Sequence, residues 1–441
     1  MVMFRQRRPD SAYESLGFEG LGFVKRIIFL CVVGSVSLTL STIPHSRQML
    51  DSIYKDSPID FVNSEKLNLR GSSIENDESV ESECFVHPPM KANFDHVEKV
   101  NKTLKILDLP TPAICGSLRR DWNHMPVQSE LAREFETHQS NCSLPVITFE
   151  VDNNYGLGSH LVLWSQALCN AMEKGFRVRA SNSEWLWMDK MYCNPRLANY
   201  SPLLCYFPNA ENRCADQLHN MNETLPDPRN RKTFCKRLGE GSASYRNDTL
   251  SAFRSASMEF LFQKVSPLVV KEAERQIGLL FGEKTPPDMI TVHIRWGDKF
   301  WEMDLVPIEQ YIDAVHEILR KRGAEENSVA NIYLACEDPK AVDAFLKAAP
   351  NSWNIYVDRT FTELTPYRPS RGNRASWVAR NTKGRAGLLA LGSLIVALEA
   401  DDFVLTTSSN WSRLMDYLRR NVIDVRCGNC TSVVDLREGN W

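Results

Sequence analysis

The chain has no surplus of charge of either sign. Its 52 Lys and Arg stand against 55 Asp and Glu over 441 residues, a net charge of −3. That balance argues against a nucleic-acid partner, which is bound mainly through clustered cations. An internal repeat is missing, which excludes a solenoid built from stacked units. Cys427-Gly-Asn-Cys430 has no second metal-type pair to accompany it. The motif therefore reads as a local or crossed disulfide rather than a zinc site. Long apolar runs are also missing, with one exception: Ile27 to Ile43 is uncharged, mostly apolar and ends at Pro44. It is at the short end of the roughly 20 residues that span a bilayer. No small-x-small cleavage site follows it, the nearest, Ser35-Val36-Ser37, lying inside the run. This favours a retained anchor over a cleaved signal peptide.

Arg5, Arg7, Arg8, Lys25 and Arg26 precede that run, which puts the N-terminus in the cytosol and the body on the far side of the membrane. A short span suits the thinner membranes early in the secretory route. Of the 12 cysteines, Cys31 lies in the anchor, and Cys169 and Cys336 fall in apolar runs and read as free core residues. The remaining nine occupy polar, loop-like contexts, as disulfides in an oxidising compartment would. Their odd number means that one stays free or that one assignment is wrong. Sequons stand at Asn101, Asn141, Asn199, Asn222, Asn247, Asn410 and Asn429. Asn199, followed by Pro202, and Asn410, followed by Trp411, read as poor acceptors.

These features divide the chain into a cytoplasmic tail (1–26), a transmembrane anchor (27–43), a polar and partly acidic stem (44–110) and a folded body long enough for two α/β lobes. The first lobe, 111–283, opens with strand 144–151, a turn at 152–158, helix 159–174 ending at Gly175, and strand 176–179. Gly156-Leu-Gly158 lies at that helix start, where loop amides favour a negative or polar ligand group. The same spacing serves equally well as a tight turn. Residues 183–235 are rich in Trp, Tyr, Pro and Cys and read as a stapled loop core or as aromatics that stack on sugars. Residues 250–283 read as helical.

The second lobe, 284–441, alternates strand and helix: strand 289–294, helix 307–322 with Pro307 in its first turn, strand 331–335, helix 339–348, strand 353–357, helix 384–399, strand 403–406 and helix 411–420. This alternation implies a parallel, doubly wound sheet. In such sheets ligands bind at the C-terminal ends of the strands. The first strand runs straight into His293-Ile-Arg-Trp-Gly-Asp-Lys299. It gathers His293, Arg295, Asp298 and Lys299 beside a turn at Gly297, and the guanidinium there suits a phosphate.

These residues resemble the GT-B fucosyltransferases, in particular the α1,6-fucosyltransferase group acting on N-glycan cores and bacterial Nod factors. The resemblance covers roughly residues 144–425. His293 to Lys299 looks like that family's His-x-Arg-Arg-x-Asp-Lys motif. Ile332 to Pro339 looks like Tyr-x-Ala-Thr-Asp-Asp-Pro, Ala400 to Ser409 like its late strand ending in a Ser pair, and Tyr155 to Gly158 like its Gly-x-Gly loop. The resemblance implies two Rossmann-like lobes, GDP-fucose as donor, inversion at the anomeric carbon, no metal or other cofactor, and a type II Golgi protein with a lumenal body. A glycan hydroxyl of the N-glycan core is the implied acceptor. By position, Arg295 would meet the β-phosphate, Glu302 would be the general base with Lys299 orienting it, and Asp304 is the rival base. His293, Asp298, Gly156, Gly158, Asp338, Ser408 and Ser409 would hold the donor, although Asp338 serves equally as a helix N-cap. Two positions depart from the family. Trp296 replaces its second arginine, and Ser393 stands where a helix supplies a guanine-reading aspartate. They leave open a sugar-binding pseudoenzyme. Protein O-fucosylation and transfer from a different GDP-sugar also stay open.

Overall fold

The structure is a computed structural model that describes residues 116–438, except 152–154, 183, 195–199, 212–213, 215–224, 226–242, 298, 300–303, 326–327 and 359–373. The chain divides after Ser82, and all described residues belong to the part Glu83–Trp441. The expected anchor at 27–43 lies outside the described residues. Among those described, no helix is long and apolar enough to cross a membrane.

Helix α1 (Glu130–Ser140) starts at Ser129, whose hydroxyl accepts from the Ala132 amide at 3.2 Å, and buries Ala132 and Phe135. Strand β1 (Val146–Glu150), helix α2 (Leu157–Glu173) and strand β2 (Arg177–Ser181) form a β–α–β unit with the strands parallel, Val146 opposite Arg177. Gly175, at φ +72°, turns the chain out of α2. The outer edge of β2 is closed by side chains. The Gln139 amide donates to Val178 O at 3.1 Å and accepts from Val178 N at 3.0 Å, and a Glu211 oxygen accepts from Ala180 N at 2.7 Å. Polar groups that a further strand would bond are thus satisfied locally.

The helical stretch expected over 250–283 consists of two helices, α3 (Ala243–Phe262) and α4 (Pro267–Phe281). Pro267, at the start of α4, has no N–H for a continuing ladder and fits a first helical turn instead. The strands that follow form one parallel sheet in the order β5-β4-β3-β6-β7. In chain order they are β3 (Ile290–Ile294), helix α5 (Ile308–Lys321), β4 (Asn331–Cys336), helix α6 (Pro339–Ala348), β5 (Asn354–Val357), helices α7 (Arg374–Asn381) and α8 (Arg385–Leu398), β6 (Asp402–Leu405), helix α9 (Asn410–Leu418) and β7 (Ser432–Asp435). Pro307 occupies the N-cap of α5 rather than its first turn. From Arg419 to Asp424 the α9 helix widens into a π-helix, where buried Arg419 bonds Asp416 at 2.8 Å and Asp424 at 2.7 Å.

Side chains alternate across this sheet. Ile290, Val292, Ile294, Ile332 and Leu334 face a core shared with α5 and α6. Tyr333, Ala335, Phe403 and Leu405 join a larger core that continues through α8, α4, α3 and α2. Helix α8 is buried along its whole length. It lies close to the 184–194 loop at Gly387, where an added Cβ would stand 1.8 Å from Trp187 O.

Cys142 pairs with Cys214, Cys193 with Cys205, and Cys427 with Cys430. The last pair resolves the Cys-x-x-Cys motif as a local disulfide. Cys169 is also disulfide-bonded, which corrects its reading as a free core thiol and makes the disulfide candidates even in number. Its apolar neighbours in α2 mask that role, because a buried disulfide and a buried thiol share the same surroundings. Cys336 is free and buried as expected, and burial pushes its thiol up to about 12.

Candidate active site

From β3 the chain moves outward through β4 to β5, then returns so that β6 lies on the other side of β3. The reversal creates a crevice beyond the C-terminal ends of β3 and β6, the usual ligand position in open parallel sheets. His293 closes β3. It is buried, and its Nδ1 lies 2.6 Å from the Ser412 hydroxyl in the first turn of α9. The same hydroxyl accepts from Thr406 N at 3.1 Å, so it ties both strand ends to one helix. Burial, assisted by the nearby Arg295 charge, lowers the imidazole to about 3 and keeps it neutral. His293 therefore positions strand and helix and brings no charge of its own.

Arg295 lies two residues on. Its Nη1 donates to Trp296 O at 3.0 Å and stands 3.9 Å from a Glu337 oxygen, with the side chain 15% exposed. Trp296 turns away from the crevice: its indole N–H donates to Val306 O at 2.9 Å and its ring packs on the α5–α6 core. The residue that departs from the family motif is thus a clasp on the loop leaving β3. Gly297, at φ +79°, makes the turn in a conformation that favours glycine. A Cβ there would lie 3.6 Å from an Asp338 oxygen. Asp338 takes the N-cap of α6, accepting from Lys340 N at 2.9 Å.

The β6 end is held from several sides. Thr406 Oγ1 lies 3.2 Å from the Tyr311 hydroxyl, and the Thr407 amide donates to Asp435 at 3.0 Å. Ser408 N donates to Arg437 O at 2.9 Å. Ser409 is the N-cap of α9, yet its side chain bonds no first-turn amide, and Gly156 is the N-cap of α2 with no side chain to do so. These two N-termini meet. Asn410 Nδ2 donates to Ser159 Oγ at 2.8 Å, and a Cβ on Gly158 would stand 3.1 Å from the Trp411 ring. Gly158 thus permits the close approach of two helices, while Gly156 is held near the crevice by the Trp187 indole bonded to Tyr155 O at 2.9 Å. Neither helix carries an acidic residue in its first turn. Two positive helix ends that meet form a place for an anion.

Sequence reasoning missed several contributors. Arg413, buried on α9, donates to Asn410 Oδ1 at 3.0 Å and to Thr407 O at 2.8 Å, so it braces the 407–410 turn. Burial lowers its guanidinium to about 10, still protonated at neutral pH. Its i, i+3 relation to Asn410 is visible in the sequence, but which groups it bonds is set by the turn. Asp358 follows β5 and is buried against Ser393, which donates to it, and against the Tyr333 hydroxyl at 3.0 Å. A carboxylate therefore lies beside Ser393 even though the helix itself supplies none. Its position at a strand end was the available signal. Of the other expected residues, Lys299 is half-buried and Asp304 exposed, while Glu302 and Asp298 lie outside the described residues.

No known family profile and no curated protein matches this sequence. Among solved structures, the chain is similar to fucosyltransferase NodZ from Bradyrhizobium at 12% identity and a TM-score of 0.35, over 63% of this chain and 93% of that one. NodZ α-1,6-fucosyltransferase soaked with GDP-fucose gives 13% identity and a TM-score of 0.32, over 62% and 92%. POFUT1 in complex with GDP-fucose gives 11% identity and a TM-score of 0.34, over 66% and 98%.

Proposed function

We propose that this chain is an inverting, metal-independent glycosyltransferase of GT-B fold that moves fucose from GDP-fucose to a glycan hydroxyl, with the N-glycan core N-acetylglucosamine as acceptor and an α1,6 linkage. Residues 111–283 would form the acceptor-side lobe and 284–441 the GDP-sugar lobe. One observation carries the reading: the N-termini of α2 and α9, without side-chain caps, meet at the β3–β6 switch point that also presents Arg295. A nucleotide diphosphate is the ligand class that such a crevice suits. The motif resemblance narrows this class to GDP-fucose.

In this reading the acceptor oxygen attacks C1 of the sugar as the bond from C1 to the β-phosphate oxygen breaks, which inverts the centre. Negative charge grows on the departing diphosphate. Arg295 and the helix amides meet it there, where fixed donors contribute most. They supply the charge neutralisation for which other transferases use a divalent ion. The acceptor proton passes to a carboxylate, Glu302 in this proposal, with Asp304 as the rival. Paired cysteines in the body fit an oxidising lumen, and the segment 27–43 would anchor the chain in the Golgi membrane.

The test is transfer of radiolabelled fucose by the full-length chain to an N-glycan core glycopeptide, with EDTA present. Incorporation into the core sugar is expected. GDP binding by calorimetry without incorporation would overturn the acceptor or the activity. Absence of both would overturn the donor site.

A further inference from the structure

Two sequons share one pattern, Asn141-Cys142-Ser143 and Asn429-Cys430-Thr431. In both the asparagine is exposed and the middle cysteine is disulfide-bonded. Their hydroxyls are placed oppositely. Asn141 follows the last residue of α1, and its Oδ1 accepts from the Ser143 amide at 3.1 Å and from the Ser143 hydroxyl at 2.7 Å. Among the described residues none bonds its Nδ2. A hydroxyl that donates to an amide oxygen stabilises negative charge there, so the amide N–H is more easily deprotonated. At the second sequon, the Thr431 hydroxyl donates to Asp424 Oδ1 at 2.7 Å and accepts from Arg419 Nη1 at 3.1 Å. Asp424 and Arg419 are both buried. A hydroxyl has one proton to donate, and here it goes to Asp424, so none is left for Asn429.

The disulfides add a difference in timing. Cys142 pairs with Cys214, 72 residues later in the chain, which is roughly 4 to 14 seconds of synthesis. Cys430 finds its partner already made, three residues behind it. The first sequon therefore stays an open segment while the chain between its cysteines is made, whereas the second can close into a short loop at once. The fold also leaves room for a large group at the first. Asn141 precedes β1 and Gly156 follows it, so a strand of five residues, roughly 17 Å long, separates Asn141 from the crevice at the start of α2.

We infer that Asn141 carries an N-linked glycan and that Asn429, in the same pattern, stays bare, which rests on the lumenal placement proposed above. In the transfer, Asn141 Nδ2 bonds to the anomeric carbon of a lipid-diphosphate-linked oligosaccharide. The bond from that carbon to the phosphate oxygen breaks, the lipid diphosphate leaves with the electron pair, and one Nδ2 proton passes to a base on the membrane transferase that carries out the step. The experiment makes the full-length chain in cultured animal cells, alkylates free thiols, and reads each sequon by mass spectrometry after enzymatic deglycosylation in 18O-labelled water. Asn141 should be occupied in most molecules and Asn429 in few. Asn141→Gln should abolish the first modification and leave GDP affinity unchanged. The double variant Cys427→Ser, Cys430→Ser keeps the second sequon but opens its loop, so occupancy at Asn429 should rise several-fold. Asn141 bare, or Asn429 occupied as fully in the natural chain, would overturn the inference. If Asn141 is bare while Cys142 and Cys214 are paired, the site alone fails. If every sequon is bare and those two cysteines are free thiols, the lumenal reading fails with it.

Discussion

Acid should destabilise this protein through one imidazole. His293 has an ordinary value of 6.5 and, buried between β3 and α9, a folded value of about 3. The unfolded chain therefore takes up a proton on this residue before the folded chain does. The stability held by keeping it neutral is fully present above pH 6.5 and is lost progressively as pH falls toward 3. At 1.36 kcal/mol per pH unit, the loss at pH 5 is roughly 2 kcal/mol, rising to about 4–5 kcal/mol at pH 3. His293→Gln removes the Ser412 bond, a baseline cost of about 1 kcal/mol, but also removes the titration. Urea unfolding followed by the fluorescence of the 10 tryptophans reads both proteins. The stability advantage of the natural chain should fall by roughly 2 kcal/mol between pH 7.5 and pH 5 and so reverse its sign within that range. A gap that stays constant over this range would refute the argument, since a histidine already charged, or exposed, in the folded state gives no such slope. Because burial is the larger cause and Arg295 the smaller, Arg295→Ala should flatten the slope only partly.

Arg295→Ala should also lower turnover by roughly 10²–10³-fold, the usual effect of removing one donor aimed at developing charge, with the folded state retained by circular dichroism. Gly158→Ala would press a methyl group against Trp411 and the Asn410 carbonyl. Overpacking of this kind costs about 1–3 kcal/mol, so thermal unfolding should move down and GDP affinity, by calorimetry, should fall with it. Glu302→Gln should reduce the transfer rate while leaving GDP binding intact, and an unchanged rate would move the base to Asp304.

The sequence revealed four of the five strands of the larger sheet, and it did so where an element is bounded by a residue with a single local meaning. Helix α6 has the expected bounds, 339–348, because Asp338 can cap and Pro339 can only begin a helix. Strands β3 and β4 are apolar runs because both faces of a parallel sheet are covered. Strand β7 was not legible, since Ser432–Asp435 is a short edge whose pairing with β6 depends on a neighbour distant in sequence. Helix α1 was missed as well, having only Leu131, Ala132 and Phe135 as its apolar stripe. At the site, residue type and strand end indicated Arg295, His293 and the Ser408–Ser409 turn. The pairing of two helix N-termini was hidden, because it rests on Gly158 and Asn410 meeting across 251 residues between Ser159 and Asn410. Trp296 stood out in the sequence only as a departure from the family motif, whereas the bond of its indole to Val306 O, which holds the loop, depends on the fold.

The Asn410–Ser159 bond has a consequence for biosynthesis. Asn410 begins an Asn-Trp-Ser sequon, and its amide nitrogen is the atom that would carry an oligosaccharide. In the finished protein that nitrogen is engaged between two helices, whereas Asn141 and Asn429 are exposed. Modification of the nascent chain and closure of the helix pair are thus competing fates of one nitrogen. Whichever comes first excludes the other. A glycan recovered at Asn410 would mark molecules that were intercepted before folding was complete, and occupancy there would serve as a clock for how fast this half of the chain closes.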